Sequence, residues 1–164
     1  MFLLNQIIKY FLLIFIIFIL EVTIFSFYPI AGIKPDLLLV VVIINGLLTG
    51  VKTGAKFGAG AGLFQDIFLA GLWGKNTILK LLLGSIMGSI EGKIFKKNYF
   101  LPFVLIFCST VIIESVLLSV TADGIRSINY LQKLQDIILP VALYNGIIGF
   151  SLYPLFYKLL KIGD

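Results

Sequence analysis

Five polar residues sit inside long apolar runs of this 164-residue chain: Glu21, Asp66, Lys80, Glu114 and Asn145. In lipid a charge at mid-bilayer costs roughly 2.5–3.5 kcal/mol, so each ionisable group must face the protein interior or water. Carboxylates and an amine in such a place offer three kinds of chemistry. They can exchange protons with a substrate, line a path for a proton or ion, or tie helices in register. The rest of the composition narrows that choice. Histidine is absent and Cys108 is the only cysteine, which excludes disulfide frameworks, Cys/His metal sites and Ser-His or Cys-His catalysis. No phosphate-binding loop accompanies the acids. The expectation is a non-enzymatic protein without catalytic residues, metal or cofactor, its polar layer acting as glue. A ligand cavity open to the outside and an ion path are the alternatives.

The elements that position these groups follow from hydropathy. The chain is 60% hydrophobic and 13% charged, with a mean hydropathy of +1.10, whereas soluble domains are roughly 45–50% apolar and about 25% charged. This predicts an all-α, polytopic membrane protein with a single transmembrane domain over residues 1–164. Six membrane helices are expected at 10–28, 36–48, 54–72, 77–92, 100–120 and 139–160. The apolar run 11–20 resembles a signal-peptide core, but no small-x-small cleavage pattern follows, so it reads as a retained first span. Pro29 closes helix 1. Pro35 opens helix 2, with Asp36 at its positive end. That helix, about 14 residues long, is too short to cross upright. A turn at 73–76 joins helices 3 and 4, and Pro154 bends helix 6. In the long connection 121–138, Ile125, Ile128, Leu131, Leu134 and Ile138 recur at helical spacing, which suits an amphipathic segment lying on the membrane surface. Counted from these boundaries, Glu21, Asp66 and Glu114 reach roughly 16–21 Å from one face. Lys80 and Asn145 fall at a similar depth.

A glycine returns every fourth residue at Gly50, Gly54, Gly58 and Gly62, and Asp66 takes the next place. Residues four apart share a helix face, so helix 3 presents a stripe of bare backbone, a surface that favours close helix contact in membranes. Lys80, Gly84 and Gly88 form a matching face on helix 4. The two helices are expected to pack as a hairpin with an Asp66–Lys80 ion pair. Glu21 and Glu114 lack an obvious cation. A neutral form, hydrogen-bonded to Thr23, Ser109, Thr110 or Asn145, is expected for one or both.

Net charge is +5, but the basic residues sit at span ends, which points to membrane lipid rather than nucleic acid. Alternate connections divide the cations into eight (Lys9, Lys52, Lys56, Lys93, Lys96, Lys97, Lys158, Lys161) and five (Lys34, Lys75, Lys80, Arg126, Lys133). By the positive-inside rule both termini face the cytoplasm.

The ordered set Lys34-Pro35-Asp36-Leu37-Leu38-Leu39-Val40, then Gly50, Gly54 and Gly58, Gly62-Leu63-Phe64-Gln65-Asp66, Gly74-Lys75-Asn76 and Gly84 resembles the rod-shape-determining MreD family, over about residues 30 to 90. The resemblance implies a component of the bacterial inner membrane that binds MreC and acts with MreB, RodA and a class B penicillin-binding protein in lateral peptidoglycan synthesis. It also implies a six-helix bundle similar to the substrate-binding subunits of energy-coupling-factor transporters. Pro35, Asp36, Gly62, Asp66 and Asn76 are then the positions expected to matter. A vitamin-transporter substrate-binding subunit, similar in size and helix count, is the alternative function.

Overall fold

The computed structural model describes residues 2–27, 32–68, 74–91, 100–120 and 130–161. Its helices are α1 (Phe2–Phe27), α2 (Leu37–Phe68), α3 (Lys75–Ser89), α4 (Phe100–Val120), the single turn α5 (Tyr130–Lys133) and α6 (Leu139–Lys161). A π-helical turn, Leu134–Ile138, joins α5 to α6, so the helical part of the expected 121–138 segment runs without a break into the last helix. Three segments are long and apolar enough to cross a membrane: Leu37–Phe68, Phe100–Ser119 and Tyr130–Leu159. Pro154 lies inside α6. Pro29, Trp73, the basic link 93–98 and Arg126 lie outside the described residues.

Helix α2 is two arms. At Gly50 the backbone takes φ 82°, ψ 179°, a conformation that only a residue without Cβ adopts freely. The chain doubles back there. Gly46 and Gly54 consequently meet, a Cβ on Gly54 falling 2.8 Å from the Gly46 Cα. The first arm spans 14 residues, about 21 Å at 1.5 Å per residue, short of the roughly 30 Å hydrocarbon thickness. It does not need to reach further, because protein surrounds it. Leu38 through Asn45 are each at most 1% exposed, so this arm is the core rather than a wall of the bundle. Backbone ends at membrane depth are tolerated in such an enclosed position.

Around it, α1 lies along the second arm through Tyr10 on Phe57 (ring centroids 5.5 Å apart) and Phe18 on Phe64 (5.1 Å). Helices α4 and α6 pair antiparallel: Gly149 lies against Ile106, and four residues earlier on α6 Asn145 reaches Thr110, four residues later on α4. The closest packing is between the second arm and α3. A Cβ on Gly54 would meet the Gly84 carbonyl oxygen at 2.5 Å, one on Gly58 the Lys80 oxygen at 2.1 Å, and one on Gly62 the Asn76 oxygen at 2.3 Å. Gly88 faces the backbone of Gly50 and Val51 in the same way. Each step of four up one helix is matched by a step of four down the other.

This register makes a contrast testable. Gly58→Ala must push two backbones apart, an overpacking cost of about 1–3 kcal/mol or more, and should lower the thermal midpoint in detergent by several degrees. At Gly60 a Cβ would make ordinary contact with Ile14 Cδ1 at 3.5 Å, so Gly60→Ala should leave the midpoint unchanged or raise it, since alanine favours the helix over glycine.

Candidate functional site

A helix begins with backbone N–H groups that lack an intrahelical partner, and the first arm of α2 begins inside the bundle. Four surrounding elements supply what it needs. Asp36 is the N-cap: its Oδ1 accepts the Leu39 N–H at 2.7 Å, and its carbonyl accepts from Val40 at 3.1 Å. Glu21 reaches in from α1 and accepts the Leu38 N–H on Oε2 at 3.1 Å. Its Oε1 accepts from Gln65 Nε2, on the second arm, at 3.2 Å. From α6, Asn145 Oδ1 accepts the Asp36 N–H at 3.0 Å, while its Nδ2 donates to Thr110 Oγ1 of α4 at 3.3 Å. Finally Lys80 of α3, 2% exposed, places Nζ 2.6 Å from Asp36 Oδ2. Pro35 precedes the cap and is buried; the helix starts at Leu37, two residues later than its proline suggests.

Lys80 therefore pairs with Asp36, and the expected Asp66–Lys80 ion pair does not form. The register explains why. Lys80 lies opposite Gly58 and Asn76 opposite Gly62, so Asp66, one turn beyond Gly62, lies past the point where α3 begins. Its carboxylate caps that helix from outside. Oδ1 accepts from the Asn76 N–H at 3.2 Å and Asn76 Nδ2 at 2.9 Å, and Oδ2 from the Thr77 N–H at 2.9 Å and Thr77 Oγ1 at 2.7 Å. Negative charge is favourable at this end of a helix, and Gly74, at φ 89°, turns the chain into it. Asp66 is 4% exposed; it faces the interior through a different partner.

Of the remaining candidates, Glu21 and Asn145 join the cluster, but Thr23 hydrogen-bonds the Ile19 carbonyl of its own helix and leaves Glu21 alone. Glu114 is half-buried and lines a cleft with Lys75 and Lys133, so the single layer divides into a central network and a side cleft. Gly50, Gly54, Gly58, Gly62, Gly84 and Gly88 all lie in the α2–α3 contact. Thr77 and Gly46 are not among the residues that the sequence singles out, and Gln65 stands there only inside the Gly62–Asp66 motif, with no role of its own. Gly46 was within reach, since it extends the glycine series one step back; a Cβ there would meet the Gly84 oxygen at 2.8 Å. Gln65 carried no such signal. Among the described residues no group of three metal-ligating side chains converges.

The pattern of the rod shape-determining protein MreD family matches residues 3–162, nearly the whole chain. The chain belongs to the MreD family. Membership carries a role in rod-shape determination, in a family of shape-determining rather than catalytic proteins. No curated protein and no solved structure matches the chain, and the vitamin-transporter alternative gains no support. In this MreD-family chain the acids Asp36, Glu21 and Asp66 are all engaged at helix starts.

Replacing Asp66 tests that assignment. Asp66→Ala strips acceptors from four donors and should cost about 1–3 kcal/mol, read as a lowered thermal midpoint. Asp66→Asn keeps one carbonyl acceptor and should recover part of the loss.

Proposed function

We propose that this chain is a non-enzymatic membrane scaffold of the bacterial cell-elongation complex, which binds MreC and helps direct lateral peptidoglycan synthesis with MreB, RodA and a class B penicillin-binding protein. Family membership across residues 3–162 is the observation that carries this reading. The interior supports it. The buried acids of α1 and α2 are committed to helix starts and to Lys80, and a network fixed in this way suits a rigid platform better than a reaction centre that must exchange protons.

The charge pattern orients the platform in the cytoplasmic membrane. The start of α1, the Gly50 turn and the end of α6 lie at one end of the bundle and carry Lys9, Lys52, Lys56, Lys158 and Lys161. That end faces the cytoplasm by the positive-inside rule, with both termini. The Asp36 network then lies toward the outer face. Pro35, Asp36, Asp66, Asn76, Lys80 and the glycines of the α2–α3 contact serve partner binding by holding its shape.

Affinity isolation of the full-length chain from native membranes should recover MreC, and depletion of the chain should round the cells. Isolation free of MreC from cells that make both proteins would contradict the reading.

A further inference from the structure

The bundle has a second polar feature, beside the Asp36 network. A cleft of about 290 Å³ opens between the start of α3, the outer half of α4 and the π-helical turn before α6. Lys75, Lys133 and Glu114 line it, with Leu117, Ile137 and Ile138 as apolar wall. Among the described residues none of the three charged side chains makes a hydrogen bond or an ion pair.

Their depths differ in an informative way. Lys75 is the first residue of α3, and Lys133 lies one turn into the continuous helix that begins at Tyr130, so both ammonium groups sit near helix starts on the same side of the bundle. Glu114 lies six residues before the end of α4, about 9 Å deeper along the helix. The wall opens to lipid, since Ile137 is 51% exposed. Two cations at the rim, an apolar wall below and an open side toward the acyl chains complement an amphiphile with an anionic head. The volume lies near the lower limit for small-molecule sites; it suits a headgroup and the upper part of one chain, not a whole lipid.

We infer that this cleft binds the phosphate headgroup of an anionic phospholipid from the surrounding bilayer, the phosphate lying between Lys75 and Lys133. Glu114 opposes that charge from below and sets how tightly the headgroup is held. Basic residues at a membrane surface attract anionic lipid by about a factor of five each, and a carboxylate of like sign weakens the same site. The inference does not depend on the scaffold reading.

Native mass spectrometry of the full chain, titrated with phosphatidylglycerol or phosphatidylcholine, decides it. One phosphatidylglycerol should be retained about tenfold more tightly than phosphatidylcholine. Lys75→Gln/Lys133→Gln should remove that preference, Glu114→Gln should strengthen it several-fold, and Lys158→Gln, at the opposite end of α6, should leave it unchanged. Equal retention of the two lipids by the unmodified chain would overturn the inference without any variant. So would a Glu114→Gln effect of the opposite sign, or displacement of phosphatidylglycerol by millimolar inorganic phosphate, which would mark a site for the free anion.

Discussion

A helix that starts inside an apolar medium must find partners for its first N–H groups, and this bundle is arranged around one such start. The first arm of α2 is enclosed from Leu38 to Asn45, and the protein itself supplies the partners of its opening N–H groups. Asp36, Glu21 and Asn145 each take a place at or beside its opening turn, and Lys80 neutralises the cap. These residues come from four different parts of the chain. Satisfying one helix start therefore fixes how α1, α3 and α6 sit around it.

The glycine contact makes this geometry reachable. Lys80 can extend to Asp36 because its own backbone lies against Gly58 and its helix lies close to both arms of α2. A side chain at Gly54 would hold three backbones apart, and one at Gly84 would separate α3 from the second arm. The turn at Gly50 has the same logic: its positive φ lets the second arm return beside the first and places Gln65 within reach of Glu21. Close packing and polar satisfaction are two views of one constraint, since each buried charge requires a short path to its partner.

Much of this was legible in the sequence. Hydropathy gives the membrane class, the glycine spacing gives the α2–α3 face, and Glu21 and Asp66 do turn inward. Partner identity was not legible. An equal-height estimate pairs Asp66 with Lys80, but it assumes that the hairpin folds about Gly74, and the true register places Lys80 opposite Gly58. A shift of about two turns, from Asp66 to Gly58, hands the lysine to Asp36 and Asp66 to Asn76 and Thr77. The role of Gln65 was not legible, because an isolated amide has no period and its partner Glu21 lies 44 residues away. Residue type predicts that a buried charge has a partner; only the three-dimensional register says which.

The account stands on the coupling between Asp36 and Lys80. A double-mutant cycle with Asp36→Asn, which retains a capping oxygen, and Lys80→Gln measures that coupling directly by thermal or denaturant unfolding in detergent. Each single change leaves one buried charge unpaired and should cost about 3–5 kcal/mol, while the double variant should be no less stable than either alone. Costs that simply add, or single variants as stable as the unmodified chain, would contradict the claim that this pair holds the bundle around the first arm of α2.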